Sequence, residues 1–134
     1  MAILILPHNN QTHNSIMNSI YVNEINENFL LLENATGKDY LKFDTIVRCE
    51  QQKEVSIIFL NNGNKQIASE KLKSIAKKLP AHLFIKVHPL HIVNLAFVNR
   101  YIKNDEDFIV MHDGTQIQLS NSNKKVIKDL LKTV

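Results

Sequence analysis

The 134 residues are one domain's worth of chain, and 44% apolar and 22% charged residues are ordinary for a globular protein. Apolar runs such as Ala2–Leu6 and Phe29–Leu32 fall far short of the roughly 20 residues of a membrane helix, and no basic segment precedes the first as in a secretory signal. The formal charge of +3 is uneven: residues 1–50 hold three Lys/Arg against six Asp/Glu, whereas residues 51–134 hold thirteen against seven, suiting the second part to phosphate backbones or acidic surfaces.

Residues 1–28 are rich in Asn, include HNNQTHNS and show only weak apolar spacing at Ile16, Ile20 and Ile25. They read as an N-terminal extension to a domain over residues 29–134. From Phe29 short β-type runs follow one another: FLLLE, a Thr36-Gly37 turn, YLKF, IVRCE and VSIIFL. Asn62-Gly63 tolerates the positive φ of a tight turn, so Val55–Leu60 and Lys65–Ala68 are predicted to form a hairpin.

Ser69 is the expected start of a helix, with its hydroxyl as cap and Glu70 at the positive end of the dipole. Leu72, Ile75, Ala76 and Leu79 make its apolar stripe, and Pro80 stops it. Next come FIKV and IVNLAFV, then NRYI, the acidic turn NDED, and FIVM. Asp113-Gly114 turns the chain into the alternating TQIQL. A last helix is expected from about Asn121, with Ile127, Leu130, Leu131 and Val134 on its apolar face and Lys124, Lys128 and Lys132 beside it. The domain therefore reads as mainly β, with many short antiparallel strands, one mid-chain helix and one C-terminal helix.

Within FIKVHPLHIVNLAFV, the polar residues Lys86, His88 and His91, together with Pro89, interrupt an otherwise apolar run. Two strands flanking a short exposed tip account for the interruption. The sole cysteine, Cys49 in IVRCEQ, has no internal disulfide partner, suits a reducing cytoplasm, and reads as a packing residue.

Enzymatic marks are missing: there is no glycine-rich phosphate loop, no GxSxG and no HExxH. No catalytic residue and no cofactor are therefore expected. The His88/His91 pair, with His82 or His112, fits no standard metal-ligand spacing, so no metal site is assigned; a metal-responsive switch through His88, His91 and His112 would require bound zinc. Nucleic acid needs donors for phosphates and short side chains for base edges. Lys86, His88 and His91 supply some, Lys124 and Lys125 others, and Gln51–Glu54 forms a third polar loop. A loop histidine hydrogen-bonding a backbone carbonyl accounts for His88 equally well, and both readings stand on the residues alone.

Four segments share a pattern with a known family. YLKFDTIVRCE carries Ile46-x-x-x-Glu50; NNGNKQIASEKLKSIAKKLP has a hairpin, a helix and a closing Leu-Pro; FIKVHPLHIVN matches Phe84, Lys86, His88, Val93 and Asn94; FIVMHDGTQIQLS ends at Ser120. Over about Lys38 to Leu131 the chain resembles the LytTR DNA-binding domain of bacterial transcriptional regulators, many of them response regulators. The resemblance implies an elongated antiparallel arrangement of about nine or ten short strands, with loops rather than a recognition helix entering the grooves of double-stranded DNA. It implies a cytoplasmic, sequence-specific, non-enzymatic regulator in which Lys53, Lys86, Lys124 and Lys125 anchor phosphates while His88, His91 and Asn121 reach base edges or sugars, with Ser122 also among the DNA-binding residues. It also makes a second copy on a repeated site plausible. About 28 Asn-rich residues cannot form a receiver domain, so any signal is expected to arrive through an outside partner such as a separate signalling protein, through self-association, or not at all. Lys86 replaces a family arginine, exchanging a bidentate fork for a point charge, and Glu54 sets a negative charge in a loop expected near phosphate. A LytTR-fold interaction module without specific DNA recognition is the alternative.

Overall fold

The structure, a computed structural model, describes residues 28–103, 105–121 and 124–132. The expected N-terminal extension lies outside them, except for Asn28. Among the described residues ten strands form three sheets, and every pairing is antiparallel. The five-stranded sheet is built from β3 (Ile46–Gln52), β4 (Val55–Leu60), β5 (Lys65–Ala68), β6 (Phe84–His88) and β7 (His91–Asn94), in the order β5-β4-β3-β7-β6. A hairpin of β1 (Phe29–Asn34) and β2 (Gly37–Lys42) is separate from it, as is the sheet β10-β9-β8, from β8 (Val98–Ile102), β9 (Phe108–Met111) and β10 (Gln116–Gln118). Among the described residues there are two α-helices, α1 (Leu72–Ala76) and α2 (Lys124–Lys132).

The period of two along a strand divides the central sheet between two cores. Cys49, Ile58, Phe84 and Ile92 pack with Leu72 and Ile75 of α1 and with Leu30 and Leu32 of β1. Val47, Val87 and Val93 pack instead with Ile109, Met111, Ile117, Leu119 and, from α2, Ile127. The sheet is thus gripped from both faces, which fixes where its turns project. Cys49 is wholly buried, and burial pushes its thiol up to about 12, as befits a packing residue.

Two boundaries differ from the sequence reading. The mid-chain helix begins at Leu72 rather than Ser69: its cap position is Lys71, without a side-chain cap, and the Leu72 N–H instead donates to Oε1 of Gln51 in β3 at 2.9 Å. A cap arriving from 21 residues upstream leaves no local signal. The run IVNLAFV is not one strand, because Asn94 ends β7 and its side chain accepts the Ala96 N–H at 2.9 Å, folding Leu95–Phe97 into a 3-10 turn before β8. The last helix is described over Lys124–Lys132, and Asn121 lies in a 3-10 turn ahead of it. The hairpin Val55–Leu60/Lys65–Ala68 is as predicted, with Gly63 at φ +89 in its turn.

Candidate nucleic-acid interface

Register decides which turns are neighbours. Glu50 of β3 faces His91 of β7, His91 faces His88 of β6, and Gln52 of β3 faces Val55 of β4. The β3–β4 turn, Lys53–Glu54, and the β6–β7 turn, Pro89–Leu90, therefore leave the same end of the sheet. A backbone hydrogen bond ties them, from Gln51 N–H to the Leu90 carbonyl at 2.9 Å. The chain approaching α2 reaches the same end along the outer edge of β6, where the Ser120 N–H donates to the Val87 carbonyl at 3.0 Å. Three segments distant in sequence are so brought together.

Gln51 holds the first turn with both halves of its amide. Its Oε1 caps α1, and its Nε2 donates to the Lys53 carbonyl at 3.1 Å. Lys53 itself is exposed and sits at φ +57, a left-handed conformation that costs a residue with a β-carbon about 1 kcal/mol. The negative charge of Glu54 is met by Lys71, whose Nζ lies 3.4 Å from its carboxylate; both side chains are well exposed, so the pair adds little stability.

The second turn is closed by His88, whose Nδ1 accepts the Leu90 N–H at 3.1 Å. That acceptor role assigns the proton of the neutral ring to Nε2, leaving it as a donor. His88 is half-buried, and its ring meets that of His91 at 5.3 Å between centroids, edge to face. Of the two readings of His88, the loop-histidine one has a counterpart of opposite direction: its ring accepts a backbone N–H. Lys86 is exposed on β6, and at the apex Leu90 keeps 44% of its surface in solvent.

Beneath the tips lies an ionic cluster centred on Glu50. Its Oε1 accepts from Arg48 Nη1 at 3.1 Å, its Oε2 accepts from Gln52 Nε2 at 2.8 Å, and His91 Nδ1 stands 3.8 Å away. Burial pushes the Glu50 carboxyl up, but the hydrogen bonds from Gln52 and Arg48 and the nearby His91 and Arg48 charges more than offset it and hold the carboxyl below its usual range. His91 is shifted down, chiefly by burial and further by His88 and Arg48, against the pull of Glu50. Arg48 is 7% exposed, and its guanidinium lies 3.7 Å from the Phe59 ring centroid.

Lys53, Lys86, His88 and His91 thus gather at one sheet end, and the segment carrying Asn121 starts beside them. Asn121 is exposed, Lys124 half-buried and Lys125 exposed at the start of α2, while Ser122 lies outside the described residues. His82 precedes β6 at its opposite end, and the ring of His112 packs on Phe97 beyond the far end of β7, 6.0 Å between centroids. Among the described residues no group of three or more His, Cys, Asp or Glu is arranged to hold a metal. No helix among them is long and apolar enough to cross a membrane.

The sequence reading missed Gln51 as the bracket between turns, because its partners lie in two other elements. It also gave Glu50 and Asn94 no physical role. Asn94 is buried and donates to the carbonyls of Ile46 at 2.9 Å and Phe43 at 3.3 Å, tying β7 to the chain entering β3. A lone Asn in a β-type run followed by Leu-Ala-Phe was the available signal.

No curated protein matches the chain. Among solved structures, the chain is similar to a protein described as the LytTr DNA-binding domain of a methyl-accepting/DNA response regulator from Bacillus cereus, at 18% identity and a TM-score of 0.65 over 78% of this chain and 96% of that one. That likeness establishes the fold. The family model of the LytTr DNA-binding domain matches residues 39–132, well over half of the sequence. The chain belongs to the LytTr DNA-binding domain family.

Proposed function

We propose that the protein is a sequence-specific transcriptional regulator that grips duplex DNA with strand-connecting turns and carries out no covalent chemistry. The observation that carries the reading is the hydrogen-bonded adjacency of the Lys53–Glu54 turn, the Pro89–Leu90 turn and the Ser120 segment at one end of the central sheet. Lys53, Lys86, Lys124 and Lys125 supply cations for phosphate oxygens. His88, through Nε2, and His91, Asn121 and Ser122 supply groups short enough to read base edges or sugars. Residues 29–134 act as the DNA-binding unit in the cytoplasm, with a second copy on a repeated site and a separate signalling protein as further partners.

The exposed Leu90 beside Pro89 favours a second reading, in which the same tip docks on a protein and DNA recognition has been lost. Electrophoretic mobility of random duplexes at two salt concentrations, followed by selection of bound duplexes from the pool, separates the two. Binding that weakens steeply with salt and enriches one motif supports the DNA reading. No shift at low salt supports the interaction module.

A further inference from the structure

We infer that the lysine-lined groove along α1 is a second phosphate track for the same duplex, a reading that rests on the DNA-binding function proposed above. The groove is lined by Ser69, Glu70, Lys71, Lys73, Ser74 and Lys77. It is continuous with the turns: Lys71 reaches Glu54 at 3.4 Å, and the first N–H of α1 is held by Gln51. From that end α1 runs along the sheet toward Pro80 and the start of β6, so its lysines flank the sheet behind the tips.

The charge of this groove is one-sided. Its single carboxylate, Glu70, is occupied by Lys78 Nζ at 2.9 and 3.0 Å and by the Ser74 hydroxyl at 2.7 Å. Lys73 and Lys77 are exposed, and no described carboxylate pairs with either. A helix face that serves only solubility gains from Glu–Lys pairs four residues apart, whereas two lysines at that spacing repel each other and work against the helix. An external polyanion removes the repulsion. Four residues of helix rise by about 6 Å, close to the axial distance over which one strand presents two phosphates, roughly 3.4 Å each.

The test is the salt dependence of duplex affinity for the full chain, for Lys73→Ala/Lys77→Ala, and for Lys38→Ala/Lys103→Ala, which removes equal charge from exposed sites elsewhere. Circular dichroism checks that each variant is folded. Loss of two phosphate contacts lowers the slope of log affinity against log salt by about 1.8, while the control pair leaves it near the parent value. A slope unchanged from parent, or changed equally in the control, overturns the inference while leaving the DNA-binding reading standing. Loss of polyglutamate-peptide binding with an unchanged duplex slope also overturns it, in favour of an acidic protein. A parent chain that binds no duplex at low salt overturns both readings together.

Discussion

The two ends of the β6–β7 hairpin carry polar residues of one motif and use them in opposite ways. At the open end Asn94 is 1% exposed and its amide is spent on the backbone, donating to two carbonyls and accepting the Ala96 N–H. At the tip end His88 and His91 face each other half-buried, and the bond at His88 Nδ1 shapes the turn while leaving Nε2 as a donor. Residues spaced six apart in one pattern therefore serve different purposes. Asn94 acts on folding, and His88 acts on what the folded surface offers.

The largest effect is expected from breaking the open end. Asn94→Ala strands two carbonyls and an N–H in or near the core, which should lower unfolding stability by about 3 kcal/mol. Urea denaturation measures this, and duplex affinity of the fraction that remains folded should be unchanged. A loss below about 1 kcal/mol would mean that the Asn94 bonds are not the tie described here. His88→Ala is the counterpart: duplex affinity should fall roughly tenfold, about 1.4 kcal/mol, through loss of a base or sugar contact. Stability should fall by less than about 1 kcal/mol, because the orphaned Leu90 N–H can reach solvent. Equal stability losses in the two variants would erase the distinction between the ends.

A smaller effect comes from the neighbouring turn. Lys53→Gly relieves the left-handed strain at φ +57 but adds flexibility to the unfolded chain, for a net gain of up to about 0.5 kcal/mol. Removal of the charge should lower the salt slope of duplex binding by about 0.9. A variant that is more stable yet binds less steeply would show that the turn holds a lysine for its charge rather than its conformation. Lowered stability with an unchanged slope would show the reverse.

The hairpins were legible because each is marked locally: Asn62-Gly63 and Asp113-Gly114 punctuate runs whose period of two is visible over a few residues. The tip itself was legible as four residues that no core would accept. What could not be read depends on contacts between elements. Gln51 gives no hint in sequence that it caps α1 while its backbone holds Leu90. Ser69 looked like the cap because it stands at the right place locally, but the backbone extends to Lys71 before turning helical. The break after Asn94 was hidden for the same reason: β-type composition continues through Phe97, and a single side-chain bond redirects the chain. The site was legible as segments, and their adjacency became visible only with sheet register.

The finest distinction between the two ends concerns protons. In the folded chain His91 titrates below its ordinary 6.5, so on acidification the unfolded chain takes up that proton first, and stability should decline as pH falls from 6.5 toward the folded value. Glu50 is held below 4.5, and stability should decline again as pH falls below that value, when the unfolded carboxyl protonates first. The two windows have the same sign, and His91→Gln should flatten the upper one, as thermal unfolding between pH 7.5 and 5 would reveal. Duplex binding should run the other way. A phosphate backbone close to the tip favours the charged imidazole, so affinity should rise slightly as pH falls from 7.5 to 6 while stability declines. Opposite signs of the two pH profiles would mark His91 as a residue of the surface as well as of the fold. Parallel decline would place it with Asn94, and the polar tip would then owe its duplex contacts to the lysines and His88.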